Sequence, residues 1–182
     1  IGRLKKMRPD LTIVLGGPHC TRYEGGLQLI QHPDVDVVVP DEGEQTFYEY
    51  LQAFEEGRAL DGIKGLLFKK DGKVVDTGVR DLIKDINELP IPVFSGFDLQ
   101  HYRSLSLPLL GSRGCIYRCA FCSETVLWKK YRSRSGENMF REFKQHSERL
   151  GVNGFYIVDS LINGNLRELE GMCDLIIESG LK

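Results

Sequence analysis

The chain has 182 residues, 41% hydrophobic and 27% charged, with a net charge of −2. This is enough to bury an ordinary core in one domain or two small ones, and nothing in the overall charge points to nucleic acid or an anionic membrane. No apolar run approaches the roughly 18 residues of a membrane span, no secretory signal pattern opens the chain, and a cytoplasmic location is the default expectation.

The chain begins at Ile1 and runs directly into helical residues such as Leu4 and Met7, then stops at Lys182 just after Gly180. Both ends read as cuts through a longer protein. Residues 11–15 form a short buried strand ended by Gly16, Gly17 and Pro18. Residues 35–39 form a second, ended by Pro40, Asp41, Glu42, Gly43 and Glu44. Each leads into a helix, the clearer one carrying Phe47, Tyr50, Leu51 and Phe54 at helical spacing, with Gly57 at its end. Alternating strands and helices predict parallel pairing in an α/β layer, whose ligands sit at the carboxyl ends of the strands. Gly16, Gly17, Glu42, Gly43 and Glu44 fall on that edge.

A hairpin follows over 65–70 and 73–77, turned by Asp71 and Gly72, a dipeptide suited to positive φ. The prolines and aromatics around Leu89, Pro90, Ile91, Pro92 and Gly96 read as an interdomain connection. Residues 105–110 are the next strand, before a cysteine-bearing loop. A helix is predicted over 136–150, with Met139, Phe140, Phe143 and Leu150 on its apolar side and Gly151 as its stop. A strand over 154–158 ends at Asp159, and a last helix over 166–179 turns Leu166, Leu169, Cys173, Ile176 and Ile177 inward. Cys173 is read as a small core residue and Cys20 as a loop thiol without a partner. His19 is read as a polar loop residue.

The most informative stretch is Cys115, Cys119 and Cys122, with Phe121 just before the last thiol. Three of the five cysteines crowd into this run, which suits a reducing compartment and metal binding better than a disulfide framework. Three thiolates can hold three irons of a 4Fe-4S cluster, leaving one iron open to an exogenous ligand. Gly111 and Gly114 loosen the approach. Arg113, Arg118, Lys129, Lys130, Arg132 and Arg134 surround the thiols against one acid, Glu124, which favours deprotonated sulfur. A structural zinc site and unrelated thiols are the alternatives; zinc prefers a second ligand pair that is not in view. A ferredoxin-like carrier needs a fourth cysteine at cluster spacing, and none is present. Arg132 and Arg134 lie in a basic and aromatic segment, from Trp128 onward, that suits an anionic substrate or cofactor better than RNA.

Cys115-x-x-x-Cys119-x-Phe121-Cys122, directly after a strand, resembles the signature of radical S-adenosylmethionine enzymes. The resemblance implies a 4Fe-4S cluster on the three cysteines and S-adenosylmethionine on the fourth iron. Reductive cleavage then yields a 5'-deoxyadenosyl radical. It places Phe121 near the adenine and gives Asp159, where the family often has glycine-glycine-glutamate, polar work on the methionine amino group. The glycine and acidic turns of the first half resemble the late part of a cobalamin-binding Rossmann-like domain, implying cobalamin contacts at Gly16, Gly17, Glu42, Gly43 and Glu44. The expected architecture is α/β: residues 1–85 the C-terminal part of that domain, 86–108 a linker, and 109–182 the first βα units of a radical S-adenosylmethionine barrel. A complete barrel needs roughly 200 residues or more. The implied activity is cobalamin-dependent methyl transfer to an unreactive carbon of a small molecule, fed by an electron donor such as flavodoxin or ferredoxin. Radical cyclisation or rearrangement is the alternative within the family, and a non-catalytic iron-sulfur or zinc module the alternative outside it.

Overall fold

A computed structural model describes residues 1–102 and 106–181. The chain divides into two compact units, Ile1–Ile83 and Lys84–Lys182. No helix among the described residues is long and apolar enough to cross a membrane.

The first unit is built on a sheet of order β1-β2-β3-β4, from Val14–Gly16, Val37–Val39, Leu67–Lys70 and Lys73–Asp76. β1 and β2 are parallel, as the alternating pattern predicts, while β3 joins β2 antiparallel and so brings the hairpin into the same sheet. Both strands start later than the apolar runs do. The chain before β1 instead spends its Ile13 N–H on the Asp36 carboxylate, at 2.7 Å. Asp71 and Gly72 take φ of 51° and 73°, the left-handed pair that closes a tight hairpin. Three helices complete the unit: α1 (Gly2–Met7), α2 (Leu27–Gln31, entered through a turn at Arg22–Gly26) and α3 (Glu44–Glu55).

Two apolar clusters lie on the sheet. One joins Val37, Val39, Phe68, Leu66 and Ile63 to Tyr50 and Ala53 of α3, and the other joins Ile13, Val35, Val38 and Leu67 to Ile30 and Cys20. Cys20 sits on a loop, as expected, and its thiol is buried in this core. The face that α3 buries also differs from its most apolar stripe: Thr46, Tyr50 and Ala53 are buried, and Phe47, Leu51 and Phe54 are exposed. Small Thr46 and Ala53 allow close approach. Thr46 donates to Lys64 C=O at 3.2 Å, and a Cβ on Gly65 would stand 2.6 Å from the Thr46 hydroxyl.

The second unit contains a parallel pair, β5 (Ser106–Leu109) with β8 (Gly154–Ile157), and a short antiparallel pair, β6 (Ser112–Arg113) with β7 (Arg132–Ser133). Leu105, the expected start of β5, lies outside the described residues. α4 (Glu124–Leu127) sits in the cysteine loop, and α5 (Gly136–Leu150) and α6 (Leu166–Ser179) pack on each other. Ser135 caps α5 by accepting from Asn138 N–H at 3.1 Å, and Gly151 ends it at φ 64°. Within the span expected as a linker, 86–108, Asn87 accepts from Ser135 N–H at 2.8 Å, and the Phe94 ring meets His146 edge-on at 5.2 Å.

The helix faces depart from the apolar pattern. On α6, Leu169, Met172 and Ile176 pack against Leu109 and Met139, whereas Leu166, Cys173 and Ile177 point outward. Cys173 is thus a surface residue, because the stripe three and seven residues from Leu169 wins the contact with α5. On α5, Met139 is buried as expected, but so are Asn138, Glu142 and His146, while Phe140, Phe143 and Leu150 are half-buried. Arg134 makes this polar stripe tolerable. Its guanidinium lies 2.5 Å from Glu142 and also donates to Asn138 Oδ1 at 2.5 Å and Leu110 C=O at 2.9 Å.

A buried pair broken on one side leaves an uncompensated charge, so Glu142→Ala is expected to destabilise the second unit by about 3–5 kcal/mol in urea unfolding. Burial pushes His146 below its ordinary imidazole range, partly opposed by Glu142, with Arg149 adding to the decrease. The unfolded chain then binds more protons than the folded one between the lowered value and the unfolded value near 6.5. Stability from neutral His146 is present above that unfolded value and lost as pH falls through the folded one. A His146→Gln variant should show a shallower loss of denaturation midpoint over this window than the natural chain.

Candidate functional site

The cysteine loop is an excursion whose two ends are pinned side by side. Ser112 pairs with Ser133 and Arg113 with Arg132, so residues 114–131 leave and return through one neck. Gly114 is required at its entry: it takes φ 80°, and a Cβ there would stand 2.8 Å from Lys130 C=O. Beyond the neck there are local bonds, such as Cys122 N–H to Cys119 C=O at 3.1 Å and Tyr117 N–H to Cys115 Sγ at 3.4 Å, and a longer tie from the Ser160 hydroxyl to the Glu124 carboxylate. All three thiols are free, Cys119 exposed and Cys115 and Cys122 half-buried. Among the described residues, no three His, Cys, Asp or Glu side chains are gathered as a metal-holding group. The donor chemistry nonetheless fits an iron-sulfur cluster: three unbridged, solvent-reachable thiols on one loop whose ends are paired at its base. Phe121 is 93% exposed, an aromatic face without a protein partner on it.

The basic residues sort into two groups. Arg113 is buried, with its guanidinium 5.1 Å from the Trp128 ring centroid. Arg134 is buried too and committed to Glu142, Asn138 and Leu110, so the structure directs its charge into the core behind the loop. Arg132 is half-buried in β7. Asp159, at the end of β8, accepts from Gly111 N–H at 2.7 Å and from Ser112 O–H at 2.6 Å. Spacing alone does not reveal that contact, nor the residues around it: Tyr131 and Gly164, which touch so closely that a Cβ on Gly164 would stand 2.6 Å from the Tyr131 ring, and Asn165, which donates to Ser133 at 2.9 Å. Burial raises the Tyr131 phenol above its usual range, with Ser112 opposing this and Asp159 adding to it.

In the first unit, the carboxyl ends of β1 and β2 open into an apolar cleft of about 370 Å³. Gly16, Gly17, Gly43 and Glu44 line it, with Val14, Val39 and Phe47. Nothing lies within 4 Å of a Cβ built on Gly17, so its glycine leaves open room. An apolar floor under bare backbone fits the flat face of a large macrocycle. Glu42 is the exception among the expected contacts: its carboxylate is buried and accepts from Ile83 N–H at 2.9 Å.

No protein-family model matches the chain. It is 32% identical over 97% of its length to an uncharacterized methyltransferase of Pyrococcus horikoshii, covering 39% of that protein. It is 27% identical over 95% of its length to an anaerobic magnesium-protoporphyrin IX monomethyl ester cyclase of Cereibacter sphaeroides, covering 29% of it. Among solved structures, it superposes with a TM-score of 0.71 and 21% identity on the radical S-adenosylmethionine methyltransferase TsrM of Kitasatospora setae, determined with cobalamin and a [4Fe-4S] cluster bound. That match covers 97% of this chain and 36% of TsrM. The cobalamin-dependent S-adenosylmethionine radical enzyme OxsB matches with a TM-score of 0.70 and 20% identity, over 97% of this chain and 26% of OxsB. The chain thus shares its fold with cobalamin-dependent radical S-adenosylmethionine enzymes and its sequence with a methyltransferase and a cyclase, and it spans about a third of the length of these relatives.

Proposed function

We propose that this chain carries the cluster loop and part of the cobalamin site of a radical S-adenosylmethionine enzyme that transfers a methyl group to an unreactive carbon of a small molecule. The observation that carries the reading is the set of free thiols at Cys115, Cys119 and Cys122 on a loop whose two ends are paired at its neck. Residues 1–85 supply the late part of the cobalamin-binding domain and residues 109–182 the opening of the barrel.

Cys115, Cys119 and Cys122 are the ligands of a 4Fe-4S cluster. When bound and reduced by a donor of the flavodoxin or ferredoxin kind, the cluster supplies the electron that splits S-adenosylmethionine to the 5'-deoxyadenosyl radical. Phe121 offers its exposed ring to the adenine, and Arg132 brings positive charge to the neck, where a carboxylate is held. Gly16, Gly17 and Gly43 let cobalamin approach the backbone, and Glu44 rims that cleft. Glu42 and Arg134 support these surfaces from behind, since their charges are already engaged inside the protein. Radical cyclisation is the second reading, supported by the cyclase relatives.

Anaerobic loading with iron and sulfide, followed by electron paramagnetic resonance of the reduced protein, tests the proposal. The spectrum should change on adding S-adenosylmethionine; bound zinc, or a cluster signal indifferent to the ligand, would support the non-catalytic module instead. Cys119→Ala should lose the cluster while keeping its helical content, and a full cluster in that variant would remove Cys119 from the ligand set. Filling the cleft with Gly16→Leu should reduce aquacobalamin binding in a spectral titration and leave iron loading unchanged.

A further inference from the structure

We propose that Asp159 is a positioning residue that latches the entrance of the cysteine loop, with Ser112 as its partner. This goes beyond the proposed function, resting on its assignment of the three cysteines, and it replaces the methionine-amino contact that the resemblance gives Asp159.

The latch is visible in where the bonds go. Both Asp159 oxygens accept from consecutive residues at the loop entrance, Oδ1 from Gly111 N–H at 2.7 Å and Oδ2 from Ser112 O–H at 2.6 Å. Bonds to an ionised carboxylate are short and about twice as strong as neutral ones. The ladder of β5 with β8 runs up to this point, because Val158 N–H donates to Leu109 C=O at 3.0 Å. The Asp159 carboxylate therefore projects from a fixed strand end. Arg134 grips the same residues from the other side, its backbone N–H on Gly111 C=O at 2.8 Å and its guanidinium on Leu110 C=O at 2.9 Å.

Gly111 fits because it has no side chain. A Cβ there would stand 2.7 Å from Met139 Sδ and 3.1 Å from Asp159 Oδ2. Ser112 then pairs with Ser133, whose hydroxyl accepts from Asn165, so the latch reaches both ends of the excursion. Between these ends the loop is tied to itself and, through Glu124, to the Ser160 hydroxyl. The direction in which Cys115 leaves the neck is set by the bonds at Gly111 and Ser112.

The test begins on the metal-free chain, which separates this proposal from the cluster assignment. In Asp159→Ala, the Gly111 amide should exchange with deuterium about tenfold faster, the scale of a lost hydrogen bond to a charged group. Alkylation of Cys115 and Cys122 should accelerate relative to exposed Cys119, and iron bound per chain after loading should fall. Asp159→Asn keeps an acceptor for Gly111 and should restore slow exchange and iron loading, with the spectral response to S-adenosylmethionine intact. Ser112→Ala should speed alkylation less than Asp159→Ala does. Amides of α5 and α6 in the same unit, such as Met172, serve as the folding control, and if Asp159→Ala fails it, the Asn and Ser112 variants carry the comparison. Natural exchange and alkylation rates in folded Asp159→Ala, or loss of the S-adenosylmethionine response in an Asp159→Asn chain that still holds iron, would overturn the latch. Failure of the natural chain to take up iron would instead overturn the cluster assignment and leave the exchange result standing.

Discussion

The bonds from Gly111 and Ser112 to the Asp159 carboxylate tie the end of β8 to the residues following β5, and the second unit is organised around that junction. A parallel pair of strands fixes its own direction but not the path of the chain that leaves it. Here the path is fixed immediately. The chain passes from β5 into Gly111, is held by Asp159 and Arg134, and enters the β6 and β7 pair that closes the neck. A loop paired at its ends in this way keeps the strands below fixed, which is what the proposed cluster on its three thiols would require.

The first unit meets a different demand with similar economy. Its cleft combines bare backbone with an apolar floor. Gly16, Gly17 and Gly43 give the first, and Val14, Leu15 and Val39 give the second. Glu42 ties the turn after β2 to Ile83, so the turn is held by a buried carboxylate while its neighbours Gly43 and Glu44 reach the cleft. Phe47 stays exposed at the cleft while Tyr50, one turn on, is in the core.

What could be read from the sequence follows from how locally each feature is encoded. Ser135 and Gly151 bound α5, and Asp71 with Gly72 turns the hairpin, because capping and positive φ are decided within a few residues. The cysteine run is equally local, its spacing, Phe121 and the strand before it all falling within a short stretch. Strand limits were less so, because pairing with a distant neighbour decides where a short parallel strand begins. Faces were least legible. Leu166, Cys173 and Ile177 form as regular a stripe as Leu169, Met172 and Ile176, and only contact with α5 chooses between them. Asp159 was placed correctly at a strand end, but its partners lie nearly fifty residues earlier, beyond the reach of any local pattern.

The buried polar stripe of α5 escaped the sequence reading for a reason that bears on the site. Asn138, Glu142 and His146 look like a solvent face, yet they lie inside because Arg134 lies there with them. Well-packed apolar residues often stabilise a core as well as a buried ion pair does. They would not supply donors to Leu110 C=O, nor hold Arg134 so that the backbone just beyond β7 meets Gly111. Glu142 and Asn138 orient the guanidinium, the guanidinium holds the chain before the neck, and Asp159 holds the same chain from the strand opposite. The charges in the core of this unit therefore matter less for its net stability than for the one conformation they impose on the approach to Cys115.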